Sequence, residues 1–118
     1  MHDHLKQIET LRRQLATFSS VDPTMSIVSM QTLTEVLWRM AEDDTNIVKQ
    51  ADVVHELPVT HASVSRAVTY WSEHKLNGRD GKGFLLTSQD PENRRYTLLR
   101  LSGRGSMFSR SLFVPREE

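Results

Sequence analysis

The chain of 118 residues contains no cysteine. That excludes disulfides, thiolate zinc sites and thiol-based redox sensing. No apolar run approaches the roughly 20 residues that a membrane-spanning helix needs. The opening residues, Met1 to Gln14, lack the apolar stretch of a secretory signal, so a cytoplasmic protein is expected. There is no internal repeat and no low-complexity tract. No GxSxG elbow, phosphate-cradling glycine loop or dinucleotide fingerprint occurs, and Ser, His and Asp are not spaced as a triad. The histidines, His2, His4, His55, His61 and His74, form no HExxH pair. No catalytic residue, metal ligand or cofactor is therefore expected, and the chain does not read as an enzyme.

Net charge is also missing: 15 basic residues balance 15 acidic ones. Their distribution is uneven. Residues 1–57 carry five Lys/Arg against nine Asp/Glu, whereas residues 58–118 carry ten against six. The basic half is suited to phosphate contacts, and the neutral total discourages indiscriminate ones. A hydrophobic content of 37% and a charged content of 25% belong to a folded globular chain, and the length suits a single domain.

From His4 to Phe18, apolar residues recur at steps of three and four: Leu5, Ile8, Leu11, Leu15 and Phe18. This predicts an amphipathic helix with one apolar stripe, ended by a breaker over Ser19–Thr24. A second helix is expected from about Met30 to Glu42, with Met30, Leu33, Leu37, Met40 and Ala41 on its inner face and Glu42, Asp43 and Asp44 in solvent. Trp38 and Trp71 are read as core residues. Ile47–Val48 fits a short strand. A brief helix over Lys49–Leu57, with Ala51, Val54 and Leu57 inward, leads to a turn at Pro58–Val59. Thr60 is a good N-cap for a fourth helix reaching about His74 and burying Val64, Ala67, Val68 and Trp71. Asn77–Gly83 reads as a loop. Phe84–Thr87 and Tyr96–Leu101 read as hairpin strands, and Ser102 as the cap of a last helix over Gly103–Phe113.

Two of these pieces carry chemistry. The short helix, tight turn and longer helix resemble a helix-turn-helix, in which the second helix enters the DNA major groove. Thr60, Ser63, Ser65 and Thr69 supply hydroxyls, Ala62 suits a thymine methyl, Arg66 a guanine edge or phosphate, and His61 a phosphate or base. A plain amphipathic helix with a small polar outer face is the bland alternative, and for an isolated helix it would be the better one. The hairpin tip carries Arg94 and Arg95, suited to the negative potential of a narrow minor groove. Helix-turn-helix followed by charged hairpin makes a winged helix.

The segments VTHASVSRAV and DPENRRYTLLRLSGRG are similar to the recognition helix and wing of the MarR family of bacterial transcriptional regulators. The similarity runs from about Met30 to Phe113. It implies a mainly α fold with a small β-hairpin wing, a homodimer joined through terminal helices, and binding to roughly palindromic duplex DNA. In that frame Thr60 to Thr69 forms the reading surface and Arg95 the wing-tip arginine. Three positions depart from the family pattern. Asn93 stands where an aspartate commonly holds that arginine, Pro58 where a turn glycine is usual, and Lys75 where a glycine ends the recognition helix. The span from Leu76 to Asp90 is longer than usual. The family's long last helix is not expected within Gly103–Glu118, which argues against a small-molecule effector site and shifts dimerisation to the first helix.

The expected organisation is an N-terminal dimerisation helix with its connector, 1–24, and a winged helix-turn-helix domain, 25–118. The expected function is sequence-specific binding of double-stranded DNA by a homodimeric transcriptional regulator, a repressor. From another class, the same scaffold serves as an adaptor that binds a protein partner, such as an anti-repressor or assembly factor.

Overall fold

The computed structural model describes residues 2–72 and 81–113. The elements in order are α1 (His2–Val21), α2 (Ile27–Glu42), β1 (Val48–Lys49), α3 (Gln50–Glu56), α4 (His61–Trp71), β2 (Leu85–Gln89), β3 (Thr97–Leu101) and α5 (Gly103–Phe113). This is a mainly α winged-helix architecture. The wing hairpin gains a third strand: β1 pairs antiparallel with β3, Val48 opposite Leu99, giving the order β1-β3-β2.

The first helix runs further than its sequence predicts, through Ser19 and Ser20 to Val21. Both serines lie on its exposed side, and the Ser20 hydroxyl donates back to the Thr17 carbonyl at 2.6 Å, satisfying itself inside the helix. The stop comes instead at Asp22–Pro23, because a residue preceding proline is pushed out of helical backbone. The second helix begins earlier than expected, at Ile27, because the Ser26 hydroxyl accepts from the Ser29 amide at 3.1 Å. Its buried face is Ser29, Thr32, Leu33, Val36 and Leu37; Ala41 is exposed. Trp38 is 60% exposed, not core. In α3 the inward residue is Val53, fully buried, while Ala51 lies in solvent and Val54 and Leu57 are partly covered. A helix of seven residues turns only about twice, so one residue of phase error moves its inner face.

The core gathers around Trp71, whose ring contacts those of Phe18, Phe84 and Phe108 and whose indole Nε1 donates to the Ser29 carbonyl at 2.7 Å. This ties α4 to the start of α2. After Trp71 the backbone turns extended at Ser72, so α4 ends three residues before the expected His74. Lys75, Leu76 and most of the expected loop (77–80) lie outside the described residues. Gly83 (φ 73°) then turns the chain into β2. The expected strand boundaries shift by one or two residues, to Leu85–Gln89 and Thr97–Leu101. Ser102 caps α5 as expected: its hydroxyl accepts from Gly105 N at 3.0 Å and donates to the Gly83 carbonyl at 2.6 Å. A side chain at Gly105 would run into the Phe84 carbonyl, so this close approach of α5 to the sheet requires glycine.

Candidate nucleic-acid interface

Helix α4 is fixed at its first turn. Thr60 sits in extended backbone (φ −73°, ψ 156°), and its Oγ1 accepts from Ser63 N at 3.1 Å. Its hydroxyl also lies 2.9 Å from Ser63 Oγ, and Arg66 Nη2 reaches the same Ser63 oxygen at 3.4 Å. The preceding turn explains how Pro58 is accommodated. Leu57 (φ −90°, ψ 140°) and Thr60 are both extended, and Asp44 (φ 49°) is the one non-glycine residue with positive φ among the described residues. The turn thus avoids the left-handed backbone that proline cannot adopt.

This geometry divides the expected reading residues into two groups. His61, Ala62 and Arg66 are exposed on the first turns of α4. The hydroxyls are largely committed to the protein itself. Ser63 completes the cap with Thr60, Ser65 Oγ accepts from Gln50 Nε2 at 3.1 Å, and Thr69 Oγ1 donates back to the Ser65 carbonyl at 3.0 Å. Ser65 and Thr69 are half-buried, so they hold the helix in place more than they present it. Gln50, at the start of α3, is a positioning residue that the sequence reading missed. The available signal was a long amide side chain on the helix packed against α4.

The wing tip is built from polar turns. Asp90 Oδ1 accepts from Glu92 N at 2.9 Å, and the Asp90 carbonyl accepts from Asn93 N at 3.2 Å. Asp90 N donates to the Tyr96 carbonyl at 2.9 Å, and Tyr96 N to that of Asn93 at 3.0 Å. Asn93 does hold Arg95, but through the backbone: its Oδ1 accepts from Arg95 N at 3.2 Å. Arg94 and Arg95 are both exposed, with no bond to either guanidinium among the described residues. At the base of the tip, Lys49 Nζ stands 4.9 Å from the Tyr96 ring centroid, a cation–π contact that fastens the wing to β1.

The expected dimerisation stripe also divides. Leu5, Ile8, Leu11 and Leu15 are at least half exposed, whereas Phe18 is 8% exposed and packs into the core against Trp71 and Phe108. Between α1, α2 and α5 lies an open groove of about 560 Å³, lined by Leu11, Leu15, Ile27, Met30, Leu112 and Phe113 together with Gln14, Gln31, Thr34 and Glu35. No Lys, Arg or His lines it among the described residues. A second feature joins the end of α1 to α4: Tyr70 Oη donates to Asp22 Oδ2 at 2.6 Å. Burial, then the Asp22 carboxylate, pushes the Tyr70 phenol pKa up, while the Tyr70 and Thr24 hydrogen bonds hold the Asp22 carboxyl below its ordinary range.

No family model matches the chain, and no curated protein matches it. Solved structures do. A mutant MarR from E. coli, complexed with operator DNA, aligns with a TM-score of 0.60 at 16% identity, covering 92% of this chain and 66% of that one. The YusO protein from Bacillus subtilis aligns at TM-score 0.59 and 12% identity, covering 93% and 66%. A probable transcriptional regulator from Pseudomonas aeruginosa aligns at 0.51 and 16%, covering 94% and 82%. The fold is MarR-like winged helix, and the chain spans about two thirds of the length of the first two. No helix among the described residues is long and apolar enough to cross a membrane.

Proposed function

We propose that this protein is a MarR-family regulator: a cytoplasmic homodimer that binds specific double-stranded DNA and represses transcription by occluding a promoter. The observation that carries the reading is the pairing of two presentations. One is a capped helix offering His61, Ala62 and Arg66; the other is a hairpin tip offering Arg94 and Arg95, whose guanidinium groups have no bond among the described residues. A neighbour in fold solved on operator DNA supports it. The four exposed apolar residues of α1 support a second copy as partner, because two reading helices at half-sites about one helical turn apart must be held together. Among the described residues the groove offers no cation to a carboxylate or phenolate, which supports regulation without an anionic effector.

The test is an electrophoretic shift on random duplex DNA across salt concentrations. If Arg94 and Arg95 of both protomers neutralise phosphates, log affinity falls against log salt with a slope of about −4. Absence of binding at every salt concentration overturns the reading. It would favour the adaptor instead, for which the pertinent observation is Trp38, exposed on α2 and offering an aromatic anchor to a protein partner.

A further inference from the structure

We propose that the Asp22–Tyr70 hydrogen bond is the joint that sets the angle between the dimerisation helix and the reading helix, making these two positioning residues for half-site spacing. The inference rests on the proposed dimeric DNA-binding function.

Asp22 follows the last residue of α1, and Tyr70 lies in the last turn of α4. Among the described residues theirs is a direct side-chain hydrogen bond between the end of α1 and α4, at 2.6 Å. Both partners are themselves immobilised. On one side, Asp22 N donates to the Phe18 carbonyl at 3.2 Å, which continues the hydrogen bonding of α1. The other carboxylate oxygen, Oδ1, accepts from Thr24 N at 3.0 Å and Thr24 Oγ1 at 2.8 Å, which fixes the Asp22 side chain. On the other side, the Tyr70 ring stands edge-on to Trp71 at 5.1 Å, and Lys82 Nζ lies 5.5 Å from its centroid. The Tyr70 carbonyl accepts from Lys82 N at 2.9 Å.

Other contacts also hold α1, and they are not directional in this sense. The Phe18 ring packs beside Trp71 and Phe108 with centroids 6.4 and 5.5 Å apart, and Val21 packs against the same core, dispersion contacts that tolerate rotation. Gln14 Nε2 reaches the Leu112 carbonyl at 3.3 Å, but that joins α1 to α5. A hydrogen bond weakens steeply with misalignment, so Asp22–Tyr70 supplies the directional constraint. Its position gives it leverage. Of the exposed reading residues, His61 and Ala62 sit near the opposite end of this 11-residue helix, roughly 13 Å from Tyr70 along the axis. A rocking of about 15° at the joint moves that end by about 3.4 Å, one base-pair step.

The experiment is selection of bound sites from a random duplex pool by wild type, Tyr70→Phe, Asp22→Ala and the double variant, with sedimentation and thermal melts on each. Tyr70→Phe removes the hydroxyl and keeps every ring contact. Wild type should recover one dominant centre-to-centre spacing. Each variant should recover the same half-site sequence with spacings spread by at least one base pair either side, while remaining a dimer. The double variant should spread no further than the singles, because all three remove the same bond. Binding to a duplex carrying a single half-site should be unchanged, which separates a loosened joint from a damaged reading helix. Variants that keep the wild-type spacing overturn the inference alone, as do folded variants that lose the half-site sequence. If wild type enriches no site, the proposed function fails and the inference with it.

Discussion

Arg66 and Arg95 carry the same charge in different mechanical settings, and their removal should read differently. Arg66 stands on a capped helix with Nη2 3.4 Å from Ser63 Oγ, so its direction is constrained toward the base edges that α4 would face. Arg66→Ala should cost about 1–3 kcal/mol of discrimination, concentrated at one base-pair position. Among the described residues Arg95 is held at its backbone, by Asn93, with no bond to its guanidinium, which suits it to a phosphate-lined groove. Arg95→Ala should weaken all sequences alike and lower the salt slope by about one unit per wing. Titrations of both variants on matched and scrambled duplexes check this; wild-type behaviour from both would mean that neither side chain meets DNA. At this scale the caps were readable in advance. Thr60 and Ser102 each precede a run of helical periodicity, and a side-chain oxygen there has few better partners than the free amides of the first turn. Ser65 was not readable, because a serine one turn into a helix looks the same whether it meets a base or Gln50.

At the scale of the element, the apolar stripe of α1 divides in two. Phe18 is sunk into the protomer's own core, while Leu5, Ile8, Leu11 and Leu15 stay at least half exposed. The variant Ile8→Glu with Leu15→Glu should therefore fold, because Phe18 still anchors the helix, and should sediment as a monomer with weak DNA binding. Burying each such side chain across an interface contributes roughly 1.5–3 kcal/mol, so charges at two positions in each copy should suffice to break it. An intact dimer would move the interface away from α1. An unfolded product, seen as lost helical circular dichroism, would show that the stripe folds the protomer rather than joining it. Periodicity identified the stripe and could not divide it, since what covers a helical face depends on elements far away in sequence.

For the whole molecule, the Asp22–Tyr70 pair makes a statement about pH. Asp22 has its pKa lowered from the ordinary 3.8, so the stability it contributes is present above that value and is lost as pH falls through the lower folded one. Tyr70 has its pKa raised from 10.0, so its contribution is complete below that value and is lost as pH rises through the higher folded one. The stability difference between wild type and Tyr70→Phe should thus be level from about pH 5 to 9 and shrink toward either extreme. Denaturant melts across pH test this, and a difference that changes near neutrality would point to another titrating group. The groove between α1, α2 and α5 gives a second expectation at this scale. Without a lining cation, it should not take up salicylate-like anions, and adding them at low millimolar concentration should leave a protein–DNA complex intact. Release of the DNA would show that such an anion finds its countercharge elsewhere.

By itself the sequence determined the local chemistry: the caps at Thr60 and Ser102, the buried face Val64, Ala67, Val68 and Trp71, the final helix, and the turn-forming run from Asp90 to Arg95 between two strands. Each of these depends on residues within a few positions of one another, where side-chain reach and helical period leave little choice. Tertiary structure decided the rest. It left Trp38 in solvent, because the face by which α2 packs on α4 does not include it, and drew Phe18 inside against the rings of Trp71 and Phe108. It paired β1 with β3, spent Ser65 on Gln50, and brought Asp22 to Tyr70 across 48 residues. Such contacts are set by how whole elements lie against one another, which no local pattern of residues encodes.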